Sequence, residues 1–251
     1  MNKIENNLEK NIINLLSSSL EKQVDIDNIE SHPIRVFEAA KSIIGLNLDA
    51  PSNRLIEYIN NKNLSGNSLK SKSNIEKNPE TVSIYQLEEA IDANDLIKSE
   101  RLITQLLNLS DGRHILEYLL ELSLKQRGKS LSVIWSIYKS IGFLGYSSPK
   151  DVKNSLLIAI QCLIYDEYYS LEKNQIESLD TIFDKSILND YQLQLLGTIY
   201  EISNEKFIRA PFIERSLESF TSYFQSDLME ETGNINGSDI PINSRKDLLQ
   251  I

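Results

Sequence analysis

The chain has 251 residues, 41% hydrophobic and 25% charged, enough to bury a sizeable core in one large helical domain or two small ones. Its 36 acidic and 26 basic residues give a formal charge of -10, which repels phosphate backbones and disfavours nucleic-acid binding without a local basic patch. A lone cysteine, Cys162, excludes an intramolecular disulfide and a cysteine-built zinc site, and 9 Gly with 6 Pro suit long helices better than many strands.

The first element is an amphipathic helix over about residues 2–22, because Ile4, Leu8, Ile12, Leu15, Leu16 and Leu20 recur at helical spacing. Ser31-His32-Pro33 opens a second, since proline is preorganised for the first helical turn and has no amide to satisfy there. Its buried stripe is Ile34, Phe37, Ala40, Ile43 and Ile44, and Gly45 is the expected stop. A shorter third helix follows Pro51 with Leu55, Ile56 and Ile59. Residues 60–79 are polar and read as a flexible linker, dividing an N-terminal helical arm (1–59) from a main helical domain (80–231).

In the main domain, Ser83 and Gln86 form a capping box ahead of a helix that reaches Asn94. Asp95 caps the next, with Ile103, Leu106 and Leu107 as its stripe and an end near Gly112. A helix over about 113–127 stops at Gly128. Residues 130–144 spread apolar area round most of the circumference, which predicts a central helix packed on several sides and holding the only tryptophan, Trp135. Ser148-Pro149-Lys150-Asp151 starts another helix, and further helices fall at about 174–187, 190–203 and 211–230. Residues 232–251 read as a disordered tail. The whole is an all-α array or bundle of about ten antiparallel helices joined by short turns, with no recurring signature at a fixed period.

The chemistry on offer is sparse. No basic patch emerges: Lys70 and Lys72 lie in the linker, Arg245 and Lys246 in the tail. No glycine-rich phosphate loop, nucleophile elbow or zinc spacing occurs. Of the two histidines, His32 is placed to cap a helix or to serve as a proton carrier. His114 and Glu117 lie three apart on one helix face, but the order is the reverse of Glu-x-x-His and unrepeated, so no metal site is expected. Cys162 sits in an apolar stretch without a base nearby and reads as core. Trp135, Tyr138, Tyr165, Tyr168 and Tyr169 are candidates for a pocket or partner surface, because such rings combine contact area with a polar tip.

Ser31-His32-Pro33-Ile34-Arg35-Val36-Phe37-Glu38-Ala39-Ala40, followed by Glu88-Glu89-Ala90-Ile91-Asp92-Ala93-Asn94-Asp95, resembles the helical questin-oxidase-like family over residues 31–145. The resemblance implies an oxidoreductase scaffold acting on an aromatic or polyketide-like compound, and carries over His32 alone. The chain departs from that family in its poverty of histidine: Ser132, Ser136 and Ser140 stand where further histidines would be expected.

Two functions are therefore carried forward. The first is a helical interaction protein without catalytic activity or cofactor, taking protein partners and neither nucleic acid nor membrane. The second is an oxidoreductase with a small-molecule substrate in an apolar inter-helix pocket, for which His32, His114 and Glu117 are the catalytic candidates. The N-terminus lacks the apolar core of a signal peptide and no apolar run reaches the ~18–20 residues of a membrane span, so the expected location is the cytoplasm.

Overall fold

The computed structural model describes residues 3–48, 51–70, 82–124, 129–166, 187–188, 190–204 and 240–241. Among the described residues are nine α-helices: α1 (Lys3–Leu20), α2 (Pro33–Gly45), α3 (Asn53–Ser65), α4 (Ile84–Asp92), α5 (Leu96–Leu107), α6 (Arg113–Ser123), α7 (Lys129–Phe143), α8 (Pro149–Tyr165) and α9 (Asp190–Asn204). A 3-10 turn, Ile29–Ser31, leads into α2, and Ile187–Leu188 pairs antiparallel with Ile240–Pro241. The protein is all-α. The expected helices at about 174–187 (Ile187 apart) and 211–230, residues 71–79 of the linker and the tail outside 240–241 lie outside the described residues.

Helix starts follow local chemistry. Ser83 Oγ accepts from Gln86 N at 3.4 Å while Ser83 N donates to Gln86 Oε1 at 3.0 Å, the reciprocal pair expected of that sequence. Asp95 Oδ1 accepts from Lys98 N at 2.9 Å, and Ser148 Oγ accepts from Asp151 N at 3.4 Å with Pro149 behind it. Asn94 ends α4 with φ 55°, a left-handed conformation that asparagine tolerates. Gly112 opens α6 at φ 86°; a Cβ there would stand 2.6 Å from Val152 Cγ1, so only glycine lets α6 lie this close to α8.

One hydrophobic core runs from Ile12 on α1 to Ile202 on α9. α8 lies at its centre and touches α1, α4, α5, α6 and α7. α7 packs against α2, α6, α8 and α9, and all residues from Ser130 to Ile137 are buried, as its apolar circumference predicts. Leu16, Phe37 and Ile59 from the N-terminal segment join Ile134 and Leu156 in this core. Each such side chain, fully buried, contributes about 1.5–3 kcal/mol.

The linker expectation needs correction at its start. α3 continues to Ser65, beyond residue 60, because Asn63 is a core residue. Its Nδ2 donates to Leu15 O at 3.1 Å and its Oδ1 accepts from Ser19 Oγ at 2.9 Å, so a polar side chain ties α3 to α1 with both ends satisfied. Beyond it the chain turns back against the end of α1: Gln23 N donates to Asn67 O at 2.9 Å and Leu69 N to Glu21 O at 2.7 Å, forming a short antiparallel ribbon around Lys22 and Ser68.

Candidate functional site

The ribbon, the loop that follows it and the start of α2 enclose a partly open groove of about 470 Å³. It is lined by residues 23–27 and 31–33 on the way into α2, and by Lys62 and residues 65–67 at the end of α3. Asp25 and Asp27 set two carboxylates against the single ammonium of Lys62, and Asp25 Oδ1 accepts from Asp27 N at 3.1 Å. Lys62 Nζ lies 5.8 Å from the Tyr58 ring centre. Ile26, 60% exposed, supplies an apolar side chain in the same lining.

His32 forms part of this wall and is only 2% exposed. Its Nδ1 accepts from Ile34 N at 3.3 Å, capping α2, so the ring proton sits on Nε2, which donates to Lys22 O at 3.0 Å. Burial lowers its pKa from 6.5 to about 4, opposed by the bond to Lys22, so the ring is neutral at ordinary pH. Both nitrogens are committed to backbone. As held here, the imidazole has neither a free lone pair for a metal nor a proton-accepting position facing the groove.

The other histidine has different surroundings. His114, on α6, exposes 84% of its side chain and meets Glu117 Oε2 through Nδ1 at 3.1 Å. Arg113 Nε donates to Glu117 Oε1 at 3.0 Å, so Glu117 serves two neighbours one turn away. These three residues form a cluster outside the lining of the groove that holds His32. Among the described residues no group of three or more His, Cys, Asp or Glu is placed to hold a metal ion.

The aromatic candidates separate. Trp135 and Tyr138 stack on α7 with ring centres 5.7 Å apart. Trp135 is buried, however, and its Nε1 donates to Glu201 Oε2 at 2.7 Å, which fastens α9 to α7. Lys139 Nζ meets the same Glu201 oxygen at 2.7 Å and Glu38 Oε2 at 3.3 Å. Burial raises the Glu201 carboxyl, and its bonds to Lys139 and Trp135 outweigh that, leaving the pKa below its ordinary value. Tyr165 closes α8, its pKa raised by burial and by the nearby Glu100 charge. Tyr168 and Tyr169 lie outside the described residues.

Cys162 is fully buried, and burial followed by the Asp166 charge pushes its thiol well above the ordinary range, the opposite of an activated nucleophile. Ser132, Ser136 and Ser140 are buried along α7, where Ser136 Oγ donates to Ser132 O at 2.8 Å. Sequence reasoning does not single out the groove residues 23–27 and 65–67, which lie at or beyond the helix ends, are too short to read as elements and are distant from each other in the chain. Gly66 packs beside the aliphatic part of Lys22, where a Cβ would stand 3.2 Å from Lys22 Cδ. Among the described residues no helix is long and apolar enough to cross a membrane. No protein-family model, curated protein or solved structure matches this chain.

Proposed function

We propose that the chain is a helical interaction protein rather than an enzyme, and that the groove beside α2 receives an extended partner segment bearing a basic side chain. One observation carries this reading. The groove is open and largely polar, and the only imidazole in its wall has both nitrogens bonded to backbone, which leaves recognition chemistry and no acid-base pair. Asp25 and Asp27 favour a cationic group, while Ile26 offers it an apolar neighbour.

A photo-crosslinking side chain placed at Ile26 tests the reading. The expected result is one discrete adduct that disappears when Asp25 and Asp27 are both changed to Lys, with helix content unchanged. An adduct that survives both changes, or none at all, overturns it. Turnover of an aromatic substrate by the purified protein, abolished by His32→Ala, would replace it with the oxidoreductase reading.

A further inference from the structure

The wall of the groove includes a loop held by a small number of defined contacts. The loop from α1 to α2 is held in three ways: Val24 and Ile29 are buried as apolar anchors, Val24 N donates to Gln161 Oε1 at 3.3 Å, and His32 bridges Lys22 O and Ile34 N. Of these three, only the third depends on a titratable group; elsewhere in the loop Asp25 Oδ1 accepts from Asp27 N and Lys22 Nζ donates to Gly66 O. His32 also joins two separate features, the ribbon at Lys22 and the first turn of α2.

We infer that His32 is an acid-sensitive latch that holds the ribbon against α2 and thereby sets the shape of the groove. The chemistry follows from the two bonds. In the neutral ring Nδ1 has a lone pair for Ile34 N–H and Nε2 has a hydrogen for Lys22 O. A proton added to Nδ1 turns that acceptor into a donor facing another donor, and leaves a charge where water is excluded. The cap on α2 is lost, and the charged ring is driven out toward the groove. Val24 and Ile29 remain buried, so the change is confined to the ribbon, the first turn of α2 and the wall they share.

Among the described residues, no carboxylate is hydrogen-bonded to the ring where it is held, and the acids Asp25 and Asp27 line the groove toward which a charged ring would move. Asp25, Asp27 and Lys62 lie along the groove, and Glu30 and Arg35 flank the turn, with Arg35 Nη1 donating to Glu30 O at 3.0 Å. Lys22 turns its ammonium to Gly66 O at 3.2 Å. On the neighbouring helices, Lys139 is engaged by Glu38 and Glu201, and Asp151 accepts from Ser17 Oγ at 2.9 Å. The two hydrogen bonds of the ring go to backbone alone.

The inference rests on the groove being the binding site only for its consequence, and the test below requires no partner, so the two can fail separately. Hydrogen exchange of the full chain, corrected for intrinsic rates, is measured from above pH 6.5 to below about pH 4. Peptides covering residues 21–25 and 66–70 should lose protection about tenfold or more while those of α8 keep theirs. In His32→Asn, which can still cap α2 but is too short to reach Lys22 O, that protection should already be lost at neutral pH and insensitive to acid. Unchanged ribbon protection in the variant, or an acid-induced loss that persists in it, overturns the latch. Should the variant fail to fold, nitrogen NMR of the native chain decides. A neutral ring with its proton on Nε2 throughout the ordinary imidazole range supports the latch. The other tautomer, or titration near 6.5, sinks it.

Discussion

The α7–α8 pair and the ribbon-lined groove are held together by different physics, although both belong to one core. Between α7 and α8 most of the buried side chains are apolar, with Ile134, Ile137, Leu156 and Ile160 all fully buried, and one directional bond, from Ser130 N to Asp166 Oδ2 at 2.8 Å, ties the helix ends. Around the groove, shape depends on directional bonds to backbone, from His32, Gln161 and the ribbon itself. Burial is non-directional and indifferent to pH, whereas a hydrogen bond from a titratable ring is lost when its acceptor is protonated. The first region should therefore fail only with the whole fold, and the second can change while the fold persists.

The largest effect should come from the apolar side. Leu156→Ala is expected to cost about 3 kcal/mol in chemical denaturation, because it opens a cavity where α8 meets its neighbours. A loss below about 1 kcal/mol would mean that the centre of the molecule is not packed as described.

Acid should act nearly as strongly, through the groove. The folded pKa of His32 is about 4 against 6.5 for a free ring, so the unfolded chain takes up its proton first as pH falls. Stability is fully present above 6.5, declines through the interval, and levels off below about 4, for a total near 3 kcal/mol at ~1.36 kcal/mol per pH unit. Denaturation midpoints followed across this window should show the slope in the native chain and a flatter profile in His32→Asn. Equal slopes in the two would erase the contrast between the regions.

Two smaller substitutions sharpen it. Ser83→Ala removes the hydroxyl of the capping box on α4 and should cost about 1 kcal/mol, independent of pH between 5 and 8 to the precision of the measurement, since no titrating group takes part. Glu201→Gln should cost less than about 1 kcal/mol, because its partner Lys139 and the carboxylate itself are partly solvated. Thermal melts rank the pair; a Glu201→Gln loss larger than that of Ser83→Ala would show that α9 is held mainly by charge.

What could be foreseen from sequence divides along the same line. Ser83, Asp95 and Ser148 announce their helices because a cap involves residues only three apart. The central position of α7 was legible too, since Leu131, Val133, Ile134, Trp135, Ile137 and Ile141 spread apolar area round most of its circumference, with only small serines between them as far as Ile137. Asn63 shows what was not. Its amide looks like linker chemistry until Ser19 and Leu15, more than forty residues earlier, meet it in the core. The candidate site fared likewise: His32 as a helix cap follows from the proline after it, but its second bond, to Lys22 O, depends on how the loop folds back. The groove itself comes from two short stretches joined by a pair of ribbon bonds more than forty residues apart in the chain, a pairing that neither stretch announces alone.

The indole of Trp135 has an experimental consequence. Because it is the chain's only tryptophan, selective excitation of indole observes one place in the molecule, the seam where α9 meets α7. Emission should lie to the blue while the ring is enclosed and move to longer wavelength when α9 departs. This gives a local optical clock for that event, readable alongside the global loss of helix without attaching any dye.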